Sequence, residues 1–239
     1  MKVRSFLPLL LAAAAVPGYA EWHVAAYLGA THTQNSNVHI RQPVLANDLT
    51  FRDVSYRGES FHSPQYYGLR SGYFFARHLG IEAEFIHLKV FANLDRPVQT
   101  NGMVSGIPIT GTLPMGAFVQ RFSVSHGLNL LLVNVVARKQ LYRSSREGLG
   151  RLIINARAGV GGTIPHAETE IAGLPDQHYQ WGRVAFQAAA GGEIHLWRNL
   201  YALSEYKYTQ TDQHFRVSAG NASTLLRSHH GVFGLGIHF

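Results

Sequence analysis

The sequence predicts an all-β fold, an eight-stranded antiparallel barrel that spans a membrane, and three observations carry that prediction. First, the chain ends in a run whose two parities differ: Phe233, Leu235, Ile237 and Phe239 alternate with Val232, Gly234, Gly236 and His238, and His230 continues the second set. Alternate residues of a strand face opposite sides. One face is therefore bulky and apolar and the other small or polar, which suits a strand held between lipid and a narrow lumen. Second, eight alternating segments can be counted, near 22–32, 66–77, 80–92, 127–139, 151–164, 183–196, 201–212 and 226–239. Each is close to the roughly 9–11 residues that a tilted strand needs to cross a bilayer. Third, short links at 77–79, 140–150 and 197–200 alternate with long polar ones at 33–65, 93–126, 165–182 and 213–225. That rhythm predicts short periplasmic turns and long external loops, with both termini on the periplasmic side.

The N-terminus places this barrel in an outer membrane. Lys2 and Arg4 precede the apolar run from Phe6 to Val16, and Gly18-Tyr19-Ala20 offers the small residues of a cleavage site. Residues 1–20 read as a secretory signal peptide, and residues 21–239 as one barrel domain. No later stretch is long and apolar enough for a spanning helix. The chain has no cysteine, so disulfides and thiolate chemistry are excluded. Its formal charge of +7 becomes +5 once Lys2 and Arg4 are removed with the signal. That excess asks for an anionic partner. Without a zinc-finger spacing, a Walker loop or a basic helix, nucleic acid is a poor one. The phosphorylated lipid of an outer leaflet is a better one, and a membrane-embedded monomer is expected.

Parity assigns the faces strand by strand. In the second segment Tyr67, Leu69, Tyr73 and Phe75 face lipid while Gly68, Arg70 and Gly72 face in. The third has Glu82 and Glu84 inside, but His87 and Lys89 fall on the opposite parity, which suggests a bulge near the rim. The sixth puts Arg183, Gln187, Glu193 and His195 inside, and the seventh Glu205 and Lys207, with Tyr206 and Tyr208 outside. An eight-stranded barrel is filled by side chains rather than water. Arg70, Glu82, Glu84, Arg138, Arg157, Arg183, Glu193, Glu205 and Lys207 therefore read as an internal ion-pair network, structural rather than catalytic, because charges in a narrow lumen must be paired.

With the lumen filled, chemistry belongs to the outer rim and its loops. Among 14 histidines, His87, His126, His166 and His230 fall where strands meet long external segments. In Pro165-His166-Ala167-Glu168 a spacing of two sets an imidazole and a carboxylate on one side of an extended chain. Such groups ligate divalent transition metals. His87, His166, Glu168 and His230 are the candidate metal ligands, and His166, Glu168 and His126 the candidate catalytic residues. The plainer alternative makes them half-wet rim histidines. A second chemistry is an esterase, since Ser125 precedes His126 and Ser228 lies two from His230, with Glu168 to orient the base. No Gly-x-Ser-x-Gly elbow is present.

Several stretches, in order along nearly the whole mature chain, carry a resemblance. They are Asn37-Val38-His39-Ile40 with Gln42-Pro43, Leu49-Thr50 with Asp53-Val54, Tyr67-Gly68-Leu69-Arg70, and Phe85-Ile86-His87-Leu88-Lys89-Val90. Gly127-Leu128-Asn129-Leu130-Leu131 with Asn134, Pro165-His166-Ala167-Glu168, Glu205-Tyr206-Lys207 and the terminal strand with His230 follow. Together they resemble the lipid A oxidase family of outer-membrane proteins, and ending on Phe is likewise a habit of outer-membrane barrels. The resemblance implies oxidation of the proximal glucosamine of lipid A to 2-aminogluconate by molecular oxygen, with peroxide as by-product and a divalent cation required. It transfers no catalytic residues. Two positions depart from the pattern: His126 stands before Gly127 where an acidic residue is expected, and Arg52 precedes Asp53. The rival readings are a non-enzymatic adhesin or structural barrel and a lipid A deacylase.

Overall fold

A computed structural model describes residues 20–142 and 151–239. The signal peptide and most of the 140–150 link lie outside the described residues. Among the described residues there are fourteen strands. In chain order they are β1 (Glu21–Thr33), β2 (Ser36–Gln42), β3 (Asn47–Val54), β4 (Tyr56–Arg57), β5 (Tyr67–Ala76), β6 (Leu79–Ala92) and β7 (Pro97–Val104). There follow β8 (Ile107–Pro114), β9 (Val119–Tyr142), β10 (Leu152–Ile171), β11 (Leu174–Tyr179), β12 (Val184–Trp197), β13 (Leu200–Val217) and β14 (Gly220–His238). Eight of them pair in the order β1-β5-β6-β9-β10-β12-β13-β14, and β14 pairs back onto β1 from His23↔His238 to Thr33↔Ser228. Backbone bonds between Trp22 and Phe239 (2.8 and 2.9 Å) finish the seam. These eight correspond to the eight segments expected.

The faces follow from the alternation. Around the ring, residues such as Val133 (62 % exposed), Phe186 (56 %) and Phe233 (59 %) form an outward apolar belt. Exposed aromatics flank it, with Trp22, Trp197 and Phe239 at the turn end and Trp181 at the other. This is the outer surface of a membrane-spanning ring, in which each strand pairs on both edges.

Polar side chains fill the lumen. Arg70, Arg157 and Lys207 are buried against Glu82, Glu84 and Glu205. Arg70 reaches Glu205 at 3.2 Å, Lys207 reaches Glu205 at 2.7 Å, and Arg157 lies on both Glu205 and Glu82. Tyr27 and Gln187 each donate to Glu84 at 2.6 Å, and Asn134 donates to Glu82 and Glu84. Three expected members lie elsewhere. Arg138 pairs with Glu21 and Glu193 with His238 toward the turn end. Arg183 precedes β12, is half exposed and faces Asp212 at 3.7 Å, because the outward-inward alternation of β12 starts only at Val184.

The segments expected as long external loops are largely strand. β9, β10, β13 and β14 run for 24, 20, 18 and 19 residues, about twice what crossing requires. Above the belt β2, β3, β7 and β8 extend the sheet from β14, β11 pairs β10, and β4 pairs β6. The reason lies in the sequence: Val38/Ile40, Leu49/Phe51, Phe122/Val124 and Phe215/Val217 alternate as strand residues do, and all are buried in one apolar core. The polar composition of these segments belongs to their solvent faces.

The bulge expected near His87 and Lys89 lies across from them, in β9. The β9 register shifts on both sides at one place, against β6 between Leu88 and Val90 and against β10 between Pro165 and Ala167. Residues 125–127 therefore stand opposite single residues of each neighbour. Gly127 adopts φ +113 there, and a Cβ would lie 2.4 Å from the His87 ring, so only glycine fits.

Three outcomes test these assignments. Protease added to intact cells should cut within exposed residues 61–65 and spare 77–78 and 198–199; the reverse pattern would invert the orientation. Val133→Arg should destabilise by about 2–4 kcal/mol in urea unfolding from vesicles. Lys207→Met, which leaves Glu84 without its buried cation, should cost about 3–5 kcal/mol.

Candidate metal centre on the outer wall

The β9 bulge builds the site. On the outward face of β9 and β10, above the belt, Ser125 and His126 turn toward Glu168 of β10. His126 Nδ1 lies 2.8 Å from Glu168 Oε1, and the Ser125 hydroxyl donates to the same oxygen. His166 Nδ1 is 3.7 Å from Glu168 Oε1, and the His126 and His166 rings meet edge to face at 4.7 Å. Arg121 faces the other carboxylate oxygen at 3.6 Å. Tyr179 of β11, the register partner of His166, covers its ring at 4.4 Å.

Electrostatics leaves both donors in the ligating form. Burial, reinforced by the neighbouring His126, holds the His166 imidazole below its ordinary value, so it is neutral near pH 7. Burial alone would raise the Glu168 carboxyl. Hydrogen bonds from Ser125 and His126 outweigh it and hold the group lowered. The donor atoms of His126, His166 and Glu168 lie within 4.8 Å of one another. His166 Nδ1 is buried without a hydrogen-bond partner, as a ligand atom aimed at an ion would be. Two imidazoles and a carboxylate fit a divalent transition metal with coordination positions left open.

His87 and His230 do not join this group. His87 faces outward on β6, stacked on Tyr67 at 5.0 Å and bonded to Asn129 at 2.8 Å. His230 faces the lumen, its Nε2 2.8 Å from Thr209 Oγ1 and its ring beside Tyr66. Its parity is that of Gly234 and His238, so it lies inside the ring while His166 and Glu168 lie outside. Ser228 is likewise inward, bonded to Thr33.

Sequence reasoning missed Arg121 and Tyr179. Arg121, Ser123 and Ser125 share one parity, and that spacing could have shown it. Tyr179 needed the hairpin register: Ala172 and Gly173, both at positive φ, close a two-residue turn that sets 179 opposite 166.

Among the described residues one other triad could hold an ion, Glu193, His195 and His238 near the turn end. The two rings stack 5.2 Å apart, only 10° from parallel, so their nitrogens do not converge on a point between them. Arg151 already occupies His195 Nε2 at 2.9 Å. The geometry favours the outer wall.

No protein-family model matches the chain, and no curated relative does. Solved structures similar to it include Neisserial surface protein A (10 % identity, TM-score 0.41, covering 93 % of this chain and 100 % of that one). The outer membrane protease OmpT from Escherichia coli is 7 % identical with a TM-score of 0.45, covering 92 % and 97 %. The N-terminal β-barrel domain of Pseudomonas aeruginosa OprF is 12 % identical with a TM-score of 0.35, again covering 92 % and 97 %.

If the outer-wall donors bind metal, titration of Mn²⁺ or Zn²⁺ into the folded, metal-stripped protein should show one strong site. His166→Ala and Glu168→Gln should each weaken it at least about 100-fold, beyond the 10–100-fold typical of supporting residues. His87→Ala and His230→Ala should leave it unchanged, and equal losses in all four variants would refute the assignment.

Proposed function

We propose that the chain is an outer-membrane enzyme that oxidises the proximal glucosamine of lipid A to 2-aminogluconate with molecular oxygen, using a divalent transition metal held by His126, His166 and Glu168. One observation carries the reading. The donor set sits on the outward face of the wall and not in the lumen, with His166 six residues along β10 from the exposed Val160. Donors on the outward face are open to a lipid that stands against the wall. The resemblance to lipid A oxidases supplies the substrate and the reaction.

The chemistry balances without a further reductant. Two electrons and two protons leave C1 and its hydroxyl, oxygen accepts them and becomes hydrogen peroxide, and water opens the resulting lactone to the acid. A metal held at this site supplies a Lewis acid that can exchange electrons with oxygen. The chain's own residues hold and orient. Ser125 and Arg121 each fix one oxygen of Glu168. Burial keeps His166 neutral, and Tyr179 shields its ring from water.

A deacylase is the second reading, favoured by Ser125 Oγ standing 3.0 Å from His126 Nδ1. Two details weigh against it. The nitrogen that faces Ser125 also faces Glu168, whereas a catalytic triad uses opposite ring nitrogens for base and orienter. The Ser125 hydroxyl, moreover, is donated to the carboxylate.

Mass spectrometry of lipid A from cells with and without the protein separates the readings. Oxidation adds the mass of one oxygen atom, and deacylation removes an acyl chain. His166→Ala or a chelator should abolish the oxidised species, while Ser125→Ala should lower it about 10–100-fold as a supporting group does. Unchanged lipid A under aerobic expression of a folded barrel would leave the adhesin reading in its place.

A further inference from the structure

A second feature of the outer wall lies beyond the metal donors, on β12, β13 and β14. A pocket of about 440 Å³ opens there between Arg183, Val184, Phe186, Gln210, Asp212 and Leu225. The register explains why these residues share it. Phe186 pairs with Gln210 and Gln210 with Arg227, while Asp212 pairs with Leu225, so the group forms two neighbouring outward rows across three strands. Gly162, opposite Val184 on β10, has nothing within 4 Å of where a Cβ would stand, which leaves the adjoining wall open.

The pocket straddles the boundary of the membrane. Val184 and Phe186, 53 % and 56 % exposed, belong to the apolar belt. Two guanidinium groups stand beside them against one carboxylate: Arg183 in the pocket lining, and Arg227 just outside that lining, in the row of Phe186 and Gln210. Arg183 faces Asp212 at 3.7 Å, and Arg227 donates from Nε to Gln210 at 3.4 Å. His214 also lies on Asp212, at 3.3 Å. Each guanidinium has five N–H donors, and these long contacts engage few of them. A matching occupant is apolar where it meets Val184 and Phe186 and anionic where it meets the guanidinium groups at the pocket's edge. Planar guanidinium forks match phosphate oxygens.

We infer that this pocket is a binding site for a phosphorylated membrane lipid, its acyl chain along Val184 and Phe186 and its phosphate on Arg183 and Arg227. The site is separate from the metal donors. His166 lies four residues along β10 from Gly162, about 13 Å at strand rise. The inference does not need the oxidase reading; a lipid held here would stand beside the donors whatever they do.

Native mass spectrometry of the folded full-length protein in neutral detergent tests it. The probes are dioctanoyl phosphatidic acid, dioctanoyl glycerol and inorganic phosphate. One phosphatidic acid should bind at least about tenfold more tightly than the glycerol, the ratio expected when charge-assisted hydrogen bonds are added to equal apolar contact. The variant R183Q/R227Q should lose that preference while still migrating as a folded barrel, and R227Q alone should reduce it should the double variant not fold. H166A should bind the lipid as the parent does, which separates this result from any failure of the oxidase. Equal affinity for the two lipids, or a preference unchanged in R183Q/R227Q, would overturn the proposal. So would displacement by inorganic phosphate at the concentration of the lipid, which would mark a simple anion site, and loss of binding in H166A, which would place the lipid on the metal donors.

Discussion

Pairing of charge in the lumen is the constraint on which the rest depends. A ring of eight strands has no room for water, so every inward side chain must find protein partners. Arg70, Arg157 and Lys207 meet Glu82, Glu84 and Glu205 there. Removing any one leaves a buried charge unmatched, so the six act as a unit with Tyr27, Asn134 and Gln187. The same contacts discourage register slips, since a shift of one residue would turn a strand's charges into lipid. A filled lumen also moves chemistry to the walls.

On the walls, one irregular place does most of the positioning. Regular pairing would have sent Ser125 and His126 to opposite faces. The bulge at Gly127 gives β9 extra residues against both neighbours and turns both side chains to Glu168. Such irregularities are common beside functional sites because they re-aim side chains without breaking the sheet. The carboxylate is then held from both sides by Ser125 and Arg121, which is how a ligand group is kept rigid.

This explains what the sequence could and could not show. Ring strands, lipid faces and the lumen charges were legible because period-two alternation maps directly onto faces. His166 and Glu168 were legible for the same reason. His126 was named, but its route to Glu168 depends on the bulge, for which Gly127 is the one hint. His230 lies in the lumen and not among the rim groups, as its parity with Gly234 and His238 implies. The external hairpins were hidden because average polarity masked alternating pairs such as Leu49 and Phe51. Arg183 departs from the parity of its segment because it precedes Val184, the first residue of β12.

The external apolar core has a consequence for how the protein is made. Val38, Phe51, Phe122, Phe215 and their neighbours form a folded lobe on the far side of the membrane from the turns. A lobe of that kind cannot cross a bilayer intact. Its hairpins must be translocated while extended and condense only after arrival, drawing the upper halves of β9, β10, β13 and β14 together. Burial on the far side thus gives insertion a direction, because condensed hairpins cannot be pulled back through a ring that their own strands have closed.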